Sequence, residues 1–124
     1  MPKFKNKPTE IGNAGESLAN AHLLKQGYQI LERNWRFKKL EVDIIAAKED
    51  LVVFVEVKTR KNCTFGEPHI FVSKQKQTFI IKAAQHYLEK NNIIKESRFD
   101  IISIVYQNQQ FQLEHLEGAF NALH

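Results

Sequence analysis

Leu51-Val52-Val53-Phe54-Val55-Glu56-Val57-Lys58-Thr59 is the stretch on which the reading of this chain turns. β-Branched and aromatic residues fill it at odd and even positions alike, which is the pattern of a central strand covered on both faces. Glu56 and Lys58 interrupt the run. Side chains two apart in a strand share a face, so Glu56 and Lys58 are expected beside Phe54, with Val53, Val55 and Val57 opposite. Leaving a charge unpaired inside a sheet is costly even after relaxation. The two groups must therefore pair, lie at the open end of the sheet, or bind something.

The preceding strand, residues 40–47, repeats the anomaly: Glu41 and Asp43 are expected on one face beside Ile45, with Val42 and Ile44 on the other. A hairpin through Lys48-Glu49-Asp50 brings Asp43 toward Glu56, because neighbouring strands lie about 4.8 Å apart. Two carboxylates that close repel each other. A hard divalent cation such as Mg²⁺, which takes oxygen ligands, is the simplest resolution.

Elsewhere, spacing sets the elements. In residues 13–26, Ala14, Leu18, Ala21 and Leu24 recur at helical intervals, and Gly27 stands at the C-cap. Residues 28–37 read as a strand carrying Tyr28, Ile30 and Trp35, joined to the next by a Lys38-Lys39 turn. Residues 64–72 contain Gly66 and Pro68 and read as a loop. Ser73 then caps a helix running to Asn91, with Phe79, Ile80, Ala83, Ala84, Tyr87 and Leu88 as its apolar stripe. Residues 98–106 form a further strand, 110–116 an edge strand and 119–124 a short tail. The order is α-β-β-β-α-β-β, an α/β chain.

A length of 124 residues suits a single core, so residues 1–10, with their lysines and prolines, read as a flexible basic arm and 11–124 as one domain. No apolar stretch approaches the ~20 residues of a membrane span, and the basic N-terminus precedes no apolar signal core, so a cytoplasmic protein is expected with no membrane partner. Cys63 stands alone. That excludes an internal disulfide and a thiolate zinc cluster, and no base partner marks Cys63 as a nucleophile. Its Asn62-Cys63-Thr64 sequon would matter only in a secreted setting. His22, His69, His86, His115 and His124 make no His-x-His or His-x₃-His pair, so a histidine metal site is not expected, although His69 sits in the loop. The net charge of +4 suits a polyanionic partner but needs a chemical site beside it to mean more.

Val42-Asp43 followed by Glu56-Val57-Lys58 resembles the motif of the PD-(D/E)xK nuclease superfamily. The chain more narrowly resembles the YraN family of small bacterial endonuclease-like proteins, which is similar to Holliday-junction resolvases. The likeness is carried by Gly15-Glu16, Gly27-Tyr28, Asn34, Glu41-Val42-Asp43, the Phe54 to Arg60 string, Lys76, Ala84 with Tyr87-Leu88, Arg98-Phe99-Asp100 and Ala119-Phe120. Leu40 stands where the family pattern has glycine. The resemblance implies a restriction-endonuclease-like three-layer fold, a central mixed sheet flanked by helices, and a Mg²⁺- or Mn²⁺-dependent endonuclease acting on DNA, including branched or recombining DNA.

On that resemblance Asp43 and Glu56 are the metal ligands, with the backbone carbonyl of Val57 as a third and Glu16 reaching the metal or its waters; Glu41 ranks behind them. Lys58 positions or deprotonates the attacking water. Phosphate contacts are expected from Arg33, Arg36, Lys38 and Lys39 at the first hairpin, from Thr59, Arg60 and Lys61 past the motif, and from Lys74 and Lys76 at the helix start. Such contacts hold the backbone without reading bases, and nothing in the chain resembles a recognition helix. A homodimer would suit symmetric junction cutting.

Blander readings exist for each residue. Glu56 and Lys58 fit an ion pair at a strand end, Asp43 a turn carboxylate, and Glu16 a favourable charge near a helix N-terminus. Arg98 and Asp100 share a face and are read as structural partners, Trp35 as core, and the lysines of the second helix as a solvated face. The alternative functions are a nucleic-acid-binding module that keeps the nuclease fold without turnover, and a protein-interaction domain whose carboxylates are structural.

Overall fold

The computed structural model describes residues 8–61 and 72–122. The loop expected at 64–72 therefore lies outside the described residues apart from Val72, as do Cys63, His69, His124 and the first seven residues. Helix α1 spans Pro8–Lys25 and is followed by strands β1 (Gln29–Phe37), β2 (Leu40–Lys48) and β3 (Leu51–Lys61). Helix α2 (Lys74–Lys90) and strands β4 (Glu96–Gln107) and β5 (Gln110–Phe120) complete the chain.

The five strands lie side by side in chain order. Pairs β1–β2, β2–β3 and β4–β5 are antiparallel, and β3–β4, joined through α2, is parallel. This is a three-layer α/β arrangement around a mixed sheet. On one face α1 packs Ala19 and Leu23 against Ile44, Ala46, Val53, Val55, Ile102 and Ile104. On the other α2 packs Ile80, Ala83, Ala84 and Tyr87 against Val42, Ile45, Val52, Phe54, Phe99 and Ile101. Residues 52 to 56 of β3 are all buried, which is what its two-sided apolar pattern demands.

Cross-strand register places Phe54, Phe99 and Phe120 in one row, with ring centroids 5.6 and 5.2 Å apart. Stacked pairs at this separation add about 0.5–1.5 kcal/mol each beyond area burial. Tyr87 meets Phe54 edge-on at 6.2 Å and Trp35 at 5.3 Å, so Trp35 is half-buried against α2 as expected.

Helix α1 starts at Pro8, five residues ahead of the expected Asn13. Gly12 and Gly15 weaken the local helical signal, but proline suits a first helical position, where its missing N–H loses no bond. Its far end is the expected glycine cap: Gly27 has φ +95° and Tyr28 N–H donates to the Leu23 carbonyl at 3.0 Å. Ser73 caps α2 by accepting from Lys76 N–H at 3.1 Å. The Lys38-Lys39 turn reverses the chain with Lys38 at φ 56°, so Leu40 can open β2 without a glycine. Strand β5 runs on to Phe120 because a bulge opposite Asp100 absorbs the break at Gly118. Among the described residues no helix is long and apolar enough to cross a membrane.

Candidate metal and nucleic-acid site

The β2–β3 ladder runs from Lys48–Leu51 to Ile44–Val55 and stops there. One step further, Asp43 and Glu56 face each other where the strands part. The Val57 N–H donates to Asp43 Oδ2 at 2.8 Å, so a side chain takes up a backbone donor that ladder pairing no longer serves.

Alternation also breaks here. Val42 packs with Ile45 on the α2 face and Ile44 with Ala46 on the α1 face, which corrects the expectation that Val42 and Ile44 share a side. The break lies beside Asn34 of β1, whose φ of 51° is left-handed inside a strand, and such an irregularity re-aims the neighbouring side chains.

Glu56 is 5% exposed and its Oε2 lies 3.5 Å from Lys76 Nζ. Among the described residues the cation that reaches it is Lys76, not Lys58, so the strand-end Glu56–Lys58 ion pair is not what forms. Asp43 is pushed up to about 7, by burial first and then by its hydrogen bond and charge contact with Glu56; the Val57 N–H and Lys76 pull the other way. Removing a carboxyl from water beside a second carboxyl disfavours its charged form, which is the cause of the rise at Asp43. Glu16 of α1 is also raised, by burial and then by the charge of Asp43, while the Asn34 side chain that hydrogen-bonds it acts against the rise. Helix α1 and strands β2 and β3 thus each direct one acidic group to a common region.

Gly15 is what lets α1 come this close. A Cβ there would lie 2.2 Å from Thr59 Oγ1 and 3.0 Å from its Cγ2, inside contact distance of a short, stiff side chain. Gly15→Ala is expected to cost about 1–3 kcal/mol through overpacking, despite the better helix propensity of alanine. A urea midpoint unchanged from wild type would refute this.

The basic residues divide. Lys76 joins Glu56, Arg33 acts on Glu16, and Arg36, 73% exposed, reaches Glu41 at 3.6 Å. Glu41 is therefore engaged at the rim. Lys38 and Lys39 are exposed in the hairpin turn, and Lys74 is exposed on the first turn of α2. Thr59 is occupied with α1, while Arg60 and Lys61 run out along β3 opposite Val105 and Tyr106. Lys58 is half-buried and registers with Ser103, whose buried Oγ has no partner among the described residues.

The family model of UPF0102, described as an uncharacterised protein family, matches residues 15–104. The chain belongs to UPF0102. The UPF0102 protein of Flavobacterium psychrophilum is 46% identical over 111 residues, covering 90% of this chain and 93% of the relative. That of Flavobacterium johnsoniae is 46% identical over 115 residues, covering 90% and 94%. In Myxococcus xanthus a UPF0102 protein is 41% identical over 114 residues, covering 91% and 90%. The UPF0102 match opens on Gly15-Glu16 and contains Asp43, Glu56, Lys58 and Lys76.

Of the groups gathered here, the Asp43 and Glu56 carboxylates are the oxygen donors of the kind a hard cation takes. Among the described residues no three His, Cys, Asp or Glu side chains converge on one point. Two carboxylates that face each other nevertheless suit a small dication, which would relieve their repulsion. Mg²⁺ is commonly held by one or two carboxylates, the rest of its shell being water and phosphate oxygens.

Sequence spacing missed two features of this end of the molecule. Its sequence position puts Lys76 among the expected phosphate contacts, but its link to Glu56 depends on how α2 packs on the sheet. Asn34, at φ 51°, carries the other, and an asparagine inside a strand pattern, a residue tolerant of positive φ, is the signal for it in the sequence.

Proposed function

We propose that this UPF0102 chain is a metal-dependent endonuclease that hydrolyses DNA phosphodiester bonds, including those of branched or recombining DNA. The observation that carries the reading is that Asp43 and buried Glu56 face each other just past the end of the β2–β3 ladder, with Asp43 pushed up to about 7 and Lys76 beside Glu56. Asp43, Glu56 and the Val57 carbonyl would hold Mg²⁺ or Mn²⁺, with Glu16 hydrogen-bonding its waters. When bound, such an ion supplies Lewis acidity to a phosphoryl oxygen and lowers the pKa of water.

The chain's own groups supply the rest. Lys58 orients the attacking water and offsets phosphate charge, and Lys76 balances Glu56 while the second carboxylate ionises. Arg33, Arg36, Lys38, Lys39, Arg60, Lys61 and Lys74 hold phosphates along the duplex, with Thr59 and Lys76 nearest the site. These contacts carry no base readout, so cleavage without sequence preference is expected. Cutting both strands of a symmetric junction would require two copies of the chain.

A non-catalytic nucleic-acid-binding module is favoured by one observation, the convergence of two carboxylates rather than three among the described residues. Supercoiled, single-stranded and four-way-junction DNA incubated with the protein and Mg²⁺ or Mn²⁺ separates the readings. Cleavage that stops with EDTA and in Glu56→Ala is the expected result. Binding without turnover selects the module, and neither binding nor cleavage overturns both.

A further inference from the structure

Phe79 was expected in the apolar stripe of α2, yet it is 39% exposed. The buried residues of the helix are Ile80, Ala83, Ala84 and Tyr87, and Phe79 projects from the flank beside them. A single exposed aromatic needs no explanation. This one has company. Helical spacing sets Lys82 one turn after Phe79 and His86 two turns after it on that flank, while Lys76, one turn before Phe79, adjoins it from the buried side where it meets Glu56. His86 is exposed and stacks on Phe37 of β1, with ring centroids 3.6 Å apart at 24°. Lys38 lies over the same Phe37 ring at 5.3 Å.

Bases and aromatics therefore alternate from the carboxylate site to the tip of the first hairpin. The near end is Lys76, 3.5 Å from Glu56, and the far end is the Phe37–His86 stack. Glu89, in the last turn, is the one acidic residue of α2. The ten residue steps from Lys76 to His86 rise about 15 Å, enough for about four nucleotides of a stacked strand at 3.4 Å each.

We propose that the Lys76–Phe79–Lys82–His86 flank, closed by Phe37, is a track for one unpaired nucleic-acid strand leading into the carboxylate site. Duplex contacts need only charge. Aromatic rings interleaved with lysines serve bases whose faces are free, and that is the chemistry of single-strand binding. The track rests on the nuclease reading above and narrows its substrate to DNA with an unpaired segment next to the scissile phosphate.

Fluorescence anisotropy with a labelled 20-nucleotide single strand and a blunt duplex of the same length tests it, with Ca²⁺ in place of Mg²⁺. The ratio of single-strand to duplex affinity is expected to fall about tenfold in Phe79→Ala and again in His86→Ala, the effect of losing one stacked base. A strand with abasic residues should bind all three proteins alike. Both positions are exposed, and a thermal melt of each variant confirms its folding. Equal losses on the two DNAs, or no loss, overturn the track while the nuclease reading stands on the cleavage assay. A wild type that neither binds nor cuts any DNA overturns both.

Discussion

Asp43→Asn is expected to lose hydrolytic activity and, at pH 8 without metal, to be more stable than the wild type. The opposite signs come from one group. In the folded chain Asp43 is raised from its ordinary 3.8 to about 7, by burial and then by Glu56. A carboxyl that holds its proton more tightly when folded weakens the fold as pH rises. Its penalty is absent below about pH 4, grows between 4 and 7, and is complete above 7. A shift of this size corresponds to on the order of 4 kcal/mol at full ionisation. Asparagine has the same shape, can still accept from the Val57 N–H through its carbonyl oxygen, and can donate its amide N–H to Glu56.

The expected gain is about 2–4 kcal/mol at pH 8, shrinking to nothing near pH 4, because only the charged form of Asp43 is penalised. Urea titrations at both pH values measure it. Mg²⁺ should raise the wild-type midpoint, since a ligand that binds only the folded state stabilises it, and this response should vanish in the variant. A variant less stable than wild type at pH 8 would mean that Asp43 is a structural carboxylate. The surplus stability would then be gone, and with it the argument that the pair is kept for a cation.

What could be read from the residues ahead of the structure follows from which signals are local. The two-sided apolar pattern of β3 is a local property, as are the Ser73 cap and the Gly27 stop, and each reappears where spacing put it. The approach of Asp43 to Glu56 was legible too, because an antiparallel hairpin with a short turn leaves little freedom of register. What failed were inferences that assumed unbroken alternation. The Val42–Ile44 reversal depends on Asn34 of the neighbouring strand, and no single-strand pattern carries it. Phe79 fits an apolar period but lies at its margin, and only the packing of α2 on the sheet decides whether the margin is covered. His22 and His115 are far apart in the chain, yet their ring nitrogens lie 3.0 Å apart, so a search for short-range histidine pairs could not have found them.

That histidine pair belongs to a network whose disruption gives the second large expected effect: Asp100→Ala should cost about 3–5 kcal/mol, the usual consequence of leaving a partner of a buried ion pair uncompensated. Asp100 is fully buried. Arg98 donates to it through Nε and Nη2, both at 2.8 Å, and the Gly118 N–H donates at 2.9 Å across the β5 bulge. His115 Nε2 lies 2.7 Å away, which assigns that nitrogen the proton and leaves Nδ1 to accept from His22. Burial alone would raise this carboxyl, but the hydrogen bonds from His115, Arg98 and Gly118 outweigh it and hold it below the ordinary range.

A carboxyl depressed by folding contributes stability above its unfolded pKa and loses it as pH falls through the folded value, so this network should fail in acid. Alanine removes all four acceptor contacts together. It strands the Arg98 guanidinium between Tyr28 and Glu117 and frees the bulge that brings Phe120 onto Phe99. Arg98 is 25% exposed and can recover some hydration, which favours the lower half of the range. Asp100→Asn keeps an acceptor for Gly118 and should lose less. The double variant Arg98→Ala/Asp100→Ala should recover part of the loss, because the unpaired cation goes with its partner. An unfolding free energy for Asp100→Ala within about 1 kcal/mol of wild type by urea titration, with an unchanged slope, would show that the bulge and the Phe99–Phe120 stack hold without the charge. The structural role given to Arg98 and Asp100 would then fall, and a buried carboxylate ringed by four donors would need a functional reason instead.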